Sequence, residues 1–154
     1  DIGNVLLTQG TLKISPLGIL RAGHSLAGLI FLAGATGATT PVNYWACLIR
    51  VSDRKIKAIS PDLGSAAWGA GSTKQFNFNT PYSPTVDEMV VAGIMMAGAA
   101  AVPNIIGMLS AGNLASIAPS LLGDSNTGLT TPLALDTVVT AWGGGSKFAW
   151  CYGF

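Results

Sequence analysis

The chain has 154 residues, 49% of them hydrophobic and 10% charged, with a formal net charge of +1; the usual charged share is about 25%. That length suits one domain with a real core, and the charge balance supplies no broad field for nucleic acid or anionic lipid, so no nucleic-acid partner is expected. So little charge also leaves apolar surface that drives association, which predicts a chain that buries part of its outside against copies of itself.

Residues 1–20 read as an N-terminal extended arm or first strands, and residues 21–154 as a β-sandwich domain. Within the first piece, residues 4–8 and 11–14 are short extended segments around Gly10, and Pro16-Leu17-Gly18 marks a turn. The chain starts at Asp1 with no initiator methionine, as expected after processing or truncation, and it shows no signal-peptide pattern. Residues 26–33 are a continuous apolar run between Gly23 and Gly34, the pattern of a strand covered on both faces. Residues 42–51 alternate: Trp45, Cys47, Ile49 and Val51 share an inner face, and Tyr44, Ala46, Leu48 and Arg50 share the other.

Ser52-Asp53-Arg54 is a hairpin turn with residues 55–59 pairing back. The basic residues Arg50, Arg54, Lys55 and Lys57, interrupted by Asp53, read as solvated hairpin charge rather than a phosphate site. Gln75, Asn77 and Asn79 then alternate with Phe76 and Phe78, as in a half-buried strand with one polar face, and Pro81 and Pro84 are expected to end it. Residues 86–97 are apolar on both alternating sets. One set enters the core and the other calls for a subunit neighbour, so Met89, Val90, Val91, Ile94, Met95 and Met96 are the expected subunit interface. Beyond residue 101 the pieces shorten, broken by Pro103, Gly107, Gly112 and Pro119. Residues 137–141 and 147–152 read as closing strands hinged at Gly143-Gly144-Gly145. Many short strands with Gly/Pro turns indicate an all-β, antiparallel protein, a β-sandwich or jelly roll. The segments free of Asp, Glu, Lys and Arg, 22–49 and 89–123, are interrupted by Gly, Thr, Pro and Asn before they reach the roughly 20 apolar residues of a spanning helix. No membrane span is expected.

His24 is the only histidine, which removes most nucleophilic triads and metal cages. Asp87 and Glu88 are adjacent, so in a strand they face opposite sides and cannot flank one glycosidic bond. Asp124-Ser125-Asn126-Thr127-Gly128 lacks the acid density of a calcium loop and reads as an Asx-stabilised turn. No catalytic, metal or cofactor residue is assigned, and the expected function is non-enzymatic. Cys47 and Cys151 read as free, buried thiols. Aromatic residues at strand positions belong to core or interface, whereas Trp68 and Trp142, in Gly/Ala-rich segments, are the candidate glycan contacts.

Four pieces stand in a suggestive order. They are Thr40-Pro41-Val42-Asn43-Tyr44-Trp45-Ala46-Cys47-Leu48, then Ala66-Ala67-Trp68, then Thr80-Pro81-Tyr82-Ser83-Pro84-Thr85-Val86 before an apolar strand, and Thr127-Gly128-Leu129-Thr130-Thr131-Pro132. Together they resemble bacteriophage virion proteins, especially minor tail proteins and fibre-like modules of phages infecting actinobacteria, over most of residues 24–135. The chain departs from that pattern at Asp87-Glu88-Met89-Val90, where a Gly-Leu-Tyr-Tyr-like strand entry is expected. The resemblance implies a jelly-roll-like module, commonly a homotrimer, displayed on a tail or tail fibre. Its partners would be itself and other virion proteins, its location the virion after assembly in the host cytoplasm. A capsid decoration or head-fibre protein is the alternative within that class. Outside it stands a carbohydrate-binding, receptor-binding lectin module with a host cell-surface glycan as partner.

Overall fold

The computed structural model describes residues 2–99, 101–109, 123–125, 127–140, 142, 147–149 and 151–154. The expected hinge at Gly143 to Gly145, the breaks at Gly112 and Pro119, and the residues Asp1 and Trp150 lie outside them. Eleven strands and no helix occur among the described residues: β1 Ile2–Leu6, β2 Leu12–Leu20, β3 Leu26–Leu32, β4 Asn43–Arg50, β5 Ile56–Ile59, β6 Thr73–Tyr82, β7 Glu88–Ala97, β8 Asn104–Leu109, β9 Gly123–Ser125, β10 Lys147–Ala149 and β11 Cys151–Gly153. The protein is an all-β, antiparallel sandwich. No helix of the described residues is long and apolar enough to cross a membrane.

The central sheet has five strands in the order β5-β4-β7-β2-β9. Two three-stranded sheets, β11-β3-β6 and β1-β8-β10, lie against one of its faces. Strand side chains alternate between faces, so the even residues of β4 and β7 (Tyr44, Ala46, Leu48, Ile94) meet Phe31 of β3 and Phe76 of β6 in one core. The last strands tie the two smaller sheets together, because β10 pairs with β8 and β11 with β3. Ser15 of β2 pins this layer to the central sheet, its Oγ accepting from the Ala149 N–H at 2.9 Å.

The odd residues of β4 and β7 form a second core on the opposite face, with Trp45, Cys47, Ile49, Val91 and Met95. Its cover comes from the chain itself: Leu129, Leu133, Val139 and Trp142 pack across it. Backbone bonds hold this strap in place, from Leu129 N to Gly10 O at 2.8 Å, Asp136 N to Ile56 O at 2.9 Å and Val139 N to Arg54 O at 2.9 Å. Trp45 Nε1 donates to the Thr130 carbonyl at 3.3 Å.

Several expectations need correction. β4 has no outer face, since both its sets are buried apart from its end residues. β3, expected to be covered on both faces, leaves Ile30 and Leu32 half-buried, because among the described residues no further sheet lies over the outside of its three-stranded sheet. Pro16 does not turn the chain. It sits in β2 at a bulge, where the pairing with β7 shifts between Pro16 and Gly18. Pro81 does not end β6, which runs on to Tyr82; β6 is an edge strand, where a missing donor is tolerated. Residues 137–140 form no strand and make a single bridge, Lys55 to Val138. Asp124 lies in β9 opposite Lys13 rather than in a turn. Residues 2–20 supply β1 and β2, both woven into the sheets.

Candidate functional site

The densest polar cluster lies where β4 ends and β7 begins. Arg50 closes β4, and the turn that follows brings Asp53 back toward it. Arg50 Nε donates to Asp53 Oδ1 at 3.1 Å, its Nη2 bonds the second Asp53 oxygen, and its Nη1 donates to Glu88 Oε1 at 2.8 Å. Tyr82 at the end of β6 donates its hydroxyl to Glu88 Oε2 at 2.6 Å. Lys57 on β5 lies 2.6 Å from Asp136 of the strap and 3.7 Å from Asp53.

The Arg50 hydrogen bonds hold Asp53 below the usual carboxylate range. Desolvation pushes Glu88 up, but the bonds from Tyr82 and Arg50 outweigh it and leave the group low. Desolvation, then the bond to Glu88, pushes the Tyr82 hydroxyl up to about 12. Every acid here is spent on a neighbouring cation or hydroxyl, which suits a clamp and leaves neither a general acid nor a base near neutral pH. Two further acids are held by hydrogen bonds. Asp62 accepts from Asn43 Nδ2 at 2.5 Å, Tyr44 N at 3.0 Å and Gly64 N at 2.9 Å, and Asp87 accepts from Ala22 N at 2.9 Å and Arg21 at 2.5 Å. Among the described residues no three His, Cys, Asp or Glu side chains come together as a metal site.

Trp68 is not a surface platform. It is 1% exposed, stacks on Tyr44 with centroids 6.4 Å apart and donates Nε1 to the Ser72 carbonyl at 3.0 Å. Its Gly/Ala-rich loop folds inward because the core between the layers needs the indole's volume. Trp142 is half-buried in the strap. Its Nε1 donates to Val139 O at 3.0 Å, and the Arg54 guanidinium stands 5.5 Å from the ring centroid. Trp68, buried, offers no ring face to a sugar, and at Trp142 the Arg54 guanidinium stands over the ring.

The expected interface strand is corrected in the same way. Val90, Val91, Ile94, Met95 and Met96 are at most 2% exposed within the single chain, because the strap and the smaller sheets cover both sides of β7. Met89 alone is open, 40% exposed, at the rim where the strap stops. It lies opposite Ile19 of β2, which is 57% exposed, and Val86 nearby is 62% exposed.

Two surfaces escaped the sequence. One is that rim of Ile19, Val86 and Met89. The other is the outward side of the β11-β3-β6 sheet, where Tyr152 is 57% and Phe154 40% exposed. Beside Tyr152 lies a concavity of about 410 Å³ lined by Ile30, Phe31, Leu32, Thr73 and Cys151. The alternation of residues 75–79 disclosed one row of this face, but nothing local discloses that β11 pairs with β3. Both cysteines are free, Cys47 buried as expected and Cys151 only half-buried; desolvation pushes the Cys151 thiol up to about 12 and the Cys47 thiol higher still. The chain matches no family model, no curated protein and no solved structure.

Proposed function

We propose that this chain is a non-enzymatic structural module of a bacteriophage virion, carried on a tail or tail fibre and self-associating, as a homotrimer, beside other virion proteins. One observation carries most of the reading: the described polar clusters serve the sandwich itself, with Asp53, Asp62, Asp87, Glu88 and Asp136 committed to internal hydrogen bonds or ion pairs. Function then falls to shape and surface. Within the surface, the rim of Ile19, Val86 and Met89 takes over the interface role first expected of the whole of β7, since large apolar side chains grouped at an edge favour association. The order of sequence pieces that resembles tail proteins supports the virion location.

Sedimentation of the purified chain tests self-association. A species near three subunits is expected, and Ile19→Ser with Met89→Ser should shift it to monomer with melting unchanged. A wild-type monomer at all concentrations refutes the oligomer. Antibody labelling of phage particles that carry the chain tests location: label on the tail supports the reading, label on the head selects the capsid alternative, and label on neither rejects both.

A further inference from the structure

The outward face of the β11-β3-β6 sheet has a chemistry the fold does not use. The strand register aligns Tyr152 of β11, Ile30 of β3 and Gln75 of β6 in one row across the sheet. The adjoining row holds Gly28 and Asn77. A Cβ at Gly28 would meet Phe154 Cζ at 2.6 Å and also the Phe76 carbonyl, so glycine is what lets the Phe154 ring lie against the sheet. Gln75, Asn77 and Asn79 are exposed, and the concavity beside Tyr152 has Ile30 and Leu32 in its lining and Thr73 at one side.

Gln75 Nε2 donates to Asn77 Oδ1 at 2.7 Å. A carboxamide has two N–H donors and one carbonyl acceptor, so the pair leaves Gln75 Oε1 as an acceptor and Asn77 Nδ2 as a donor on an exposed surface. Two hydroxyls on neighbouring sugar carbons offer the matching donor and acceptor. A pyranose also has an apolar C–H side, which suits an exposed tyrosine ring and an aliphatic floor. Strands about 4.8 Å apart place the Tyr152 and Gln75 backbones roughly 10 Å from each other, wide enough for more than one sugar unit.

Charge narrows the ligand further. Among the described residues of this face, Ile30, Leu32, Thr73, Gln75, Asn77 and Tyr152 carry none, so they present no cation to a carboxylate, sulfate or phosphate. Lys74 is the charged residue of these three strands, and it is engaged elsewhere, with Nζ donating to the Ala67 carbonyl at 3.0 Å and standing 5.5 Å from the Tyr44 ring centroid.

We propose that this face binds a neutral, hydroxyl-rich polysaccharide segment, with Tyr152 and Phe154 against the sugar rings and the Gln75–Asn77 pair reading two adjacent hydroxyls. The site lies within one chain and is independent of the virion assignment, so either can fail without the other.

The test is affinity electrophoresis of the intact purified chain through gels containing a mannan, a galactan or an arabinogalactan, with polygalacturonate as the charged comparison. Retardation is expected in at least one neutral gel, with affinity reduced about tenfold by Tyr152→Ala and by Asn77→Ala, as loss of about 1.4 kcal/mol of contact dictates. Val86→Ser, on another surface, should leave it unchanged. Both test side chains are exposed, so melting should stay near wild type and separate lost binding from lost folding. The proposal fails if no neutral gel retards the chain, if polygalacturonate alone does, or if retardation survives both substitutions. It fails equally if Tyr152→Ala changes the sedimentation coefficient, which would make the face a contact between copies.

Discussion

Trp68→Ala separates a core tryptophan from a surface platform. The indole is 1% exposed, stacks on Tyr44, meets Phe76 edge-on with centroids 5.9 Å apart and bonds the Ser72 carbonyl. Truncating a buried aromatic residue to alanine costs about 3–5 kcal/mol. Two ring contacts worth about 0.5–1.5 kcal/mol each in favourable geometries, and a carbonyl left without its donor, place this site toward the upper part of that range. For a chain of this size each kcal/mol moves the melting temperature by about 2–4 °C, so a fall of roughly 6–20 °C is expected. Urea unfolding followed by circular dichroism should show a lower midpoint with an unchanged slope. Trp68→Phe should fall between, since it keeps a ring and loses the N–H. A Trp68→Ala chain within about 1 kcal/mol of wild type would refute the inward loop and return Trp68 to the surface.

Phe76→Ala should cost about 3–5 kcal/mol and Asn77→Ala within about half a kcal/mol in the same urea assay; similar losses would overturn the face assignment of β6. Acid should weaken the fold through the Arg50 clamp. Asp53 and Glu88 are held low in the folded state, so their contribution is present above the unfolded value near pH ~4 and is lost as pH falls through the folded values. The urea midpoint should therefore hold from pH 7 to about 5 and drop below about 4, and Asp53→Asn with Glu88→Gln should flatten that drop. Both thiols should react slowly with a disulfide reagent at pH 8 in the native chain and rapidly in denaturant, because burial keeps them protonated; fast native labelling would place Cys151 at an open surface.

The all-β class was legible because period-two alternation and Gly/Pro punctuation are local signals. Phe76 and Phe78 turn inward and Gln75, Asn77 and Asn79 outward as the alternation requires. The hairpin at residues 52–54 was equally local, and there β4 and β5 pair antiparallel. Pro16 and Pro81 misled because a proline's meaning depends on its place in a sheet. One sits at a bulge and the other on an edge strand, and both places follow from pairings between residues distant in sequence. Gly93 shows the same dependence in packing: a Cβ there would meet Cys47 Sγ at 2.8 Å and Leu12 Cδ1 at 3.0 Å, a constraint set by two other strands.

The harder question was what covers β7. An apolar set on each face says that both faces are buried, and it says nothing of whether the cover belongs to the same chain. Here residues 129–142 contribute that cover through Leu129, Leu133, Val139 and Trp142, although their own pattern is too broken to read as a strand. A strap needs only a few apolar anchors and backbone bonds, and such spacing leaves no periodicity. The consequence reaches function. Once the chain covers its own central sheet, the surfaces open to a partner among the described residues include the Met89 rim and the outside of β11-β3-β6. The two differ in kind. The rim is aliphatic and suits another protein surface, whereas the outer sheet mixes exposed rings with carboxamides and suits a ligand that is itself half apolar and half hydroxyl. Substitution of Val86 or Met89 should leave the binding of the outer sheet intact, because neither belongs to the row of Tyr152, Ile30 and Gln75, whereas Ile19 shares a concavity with Tyr152 and joins the two surfaces.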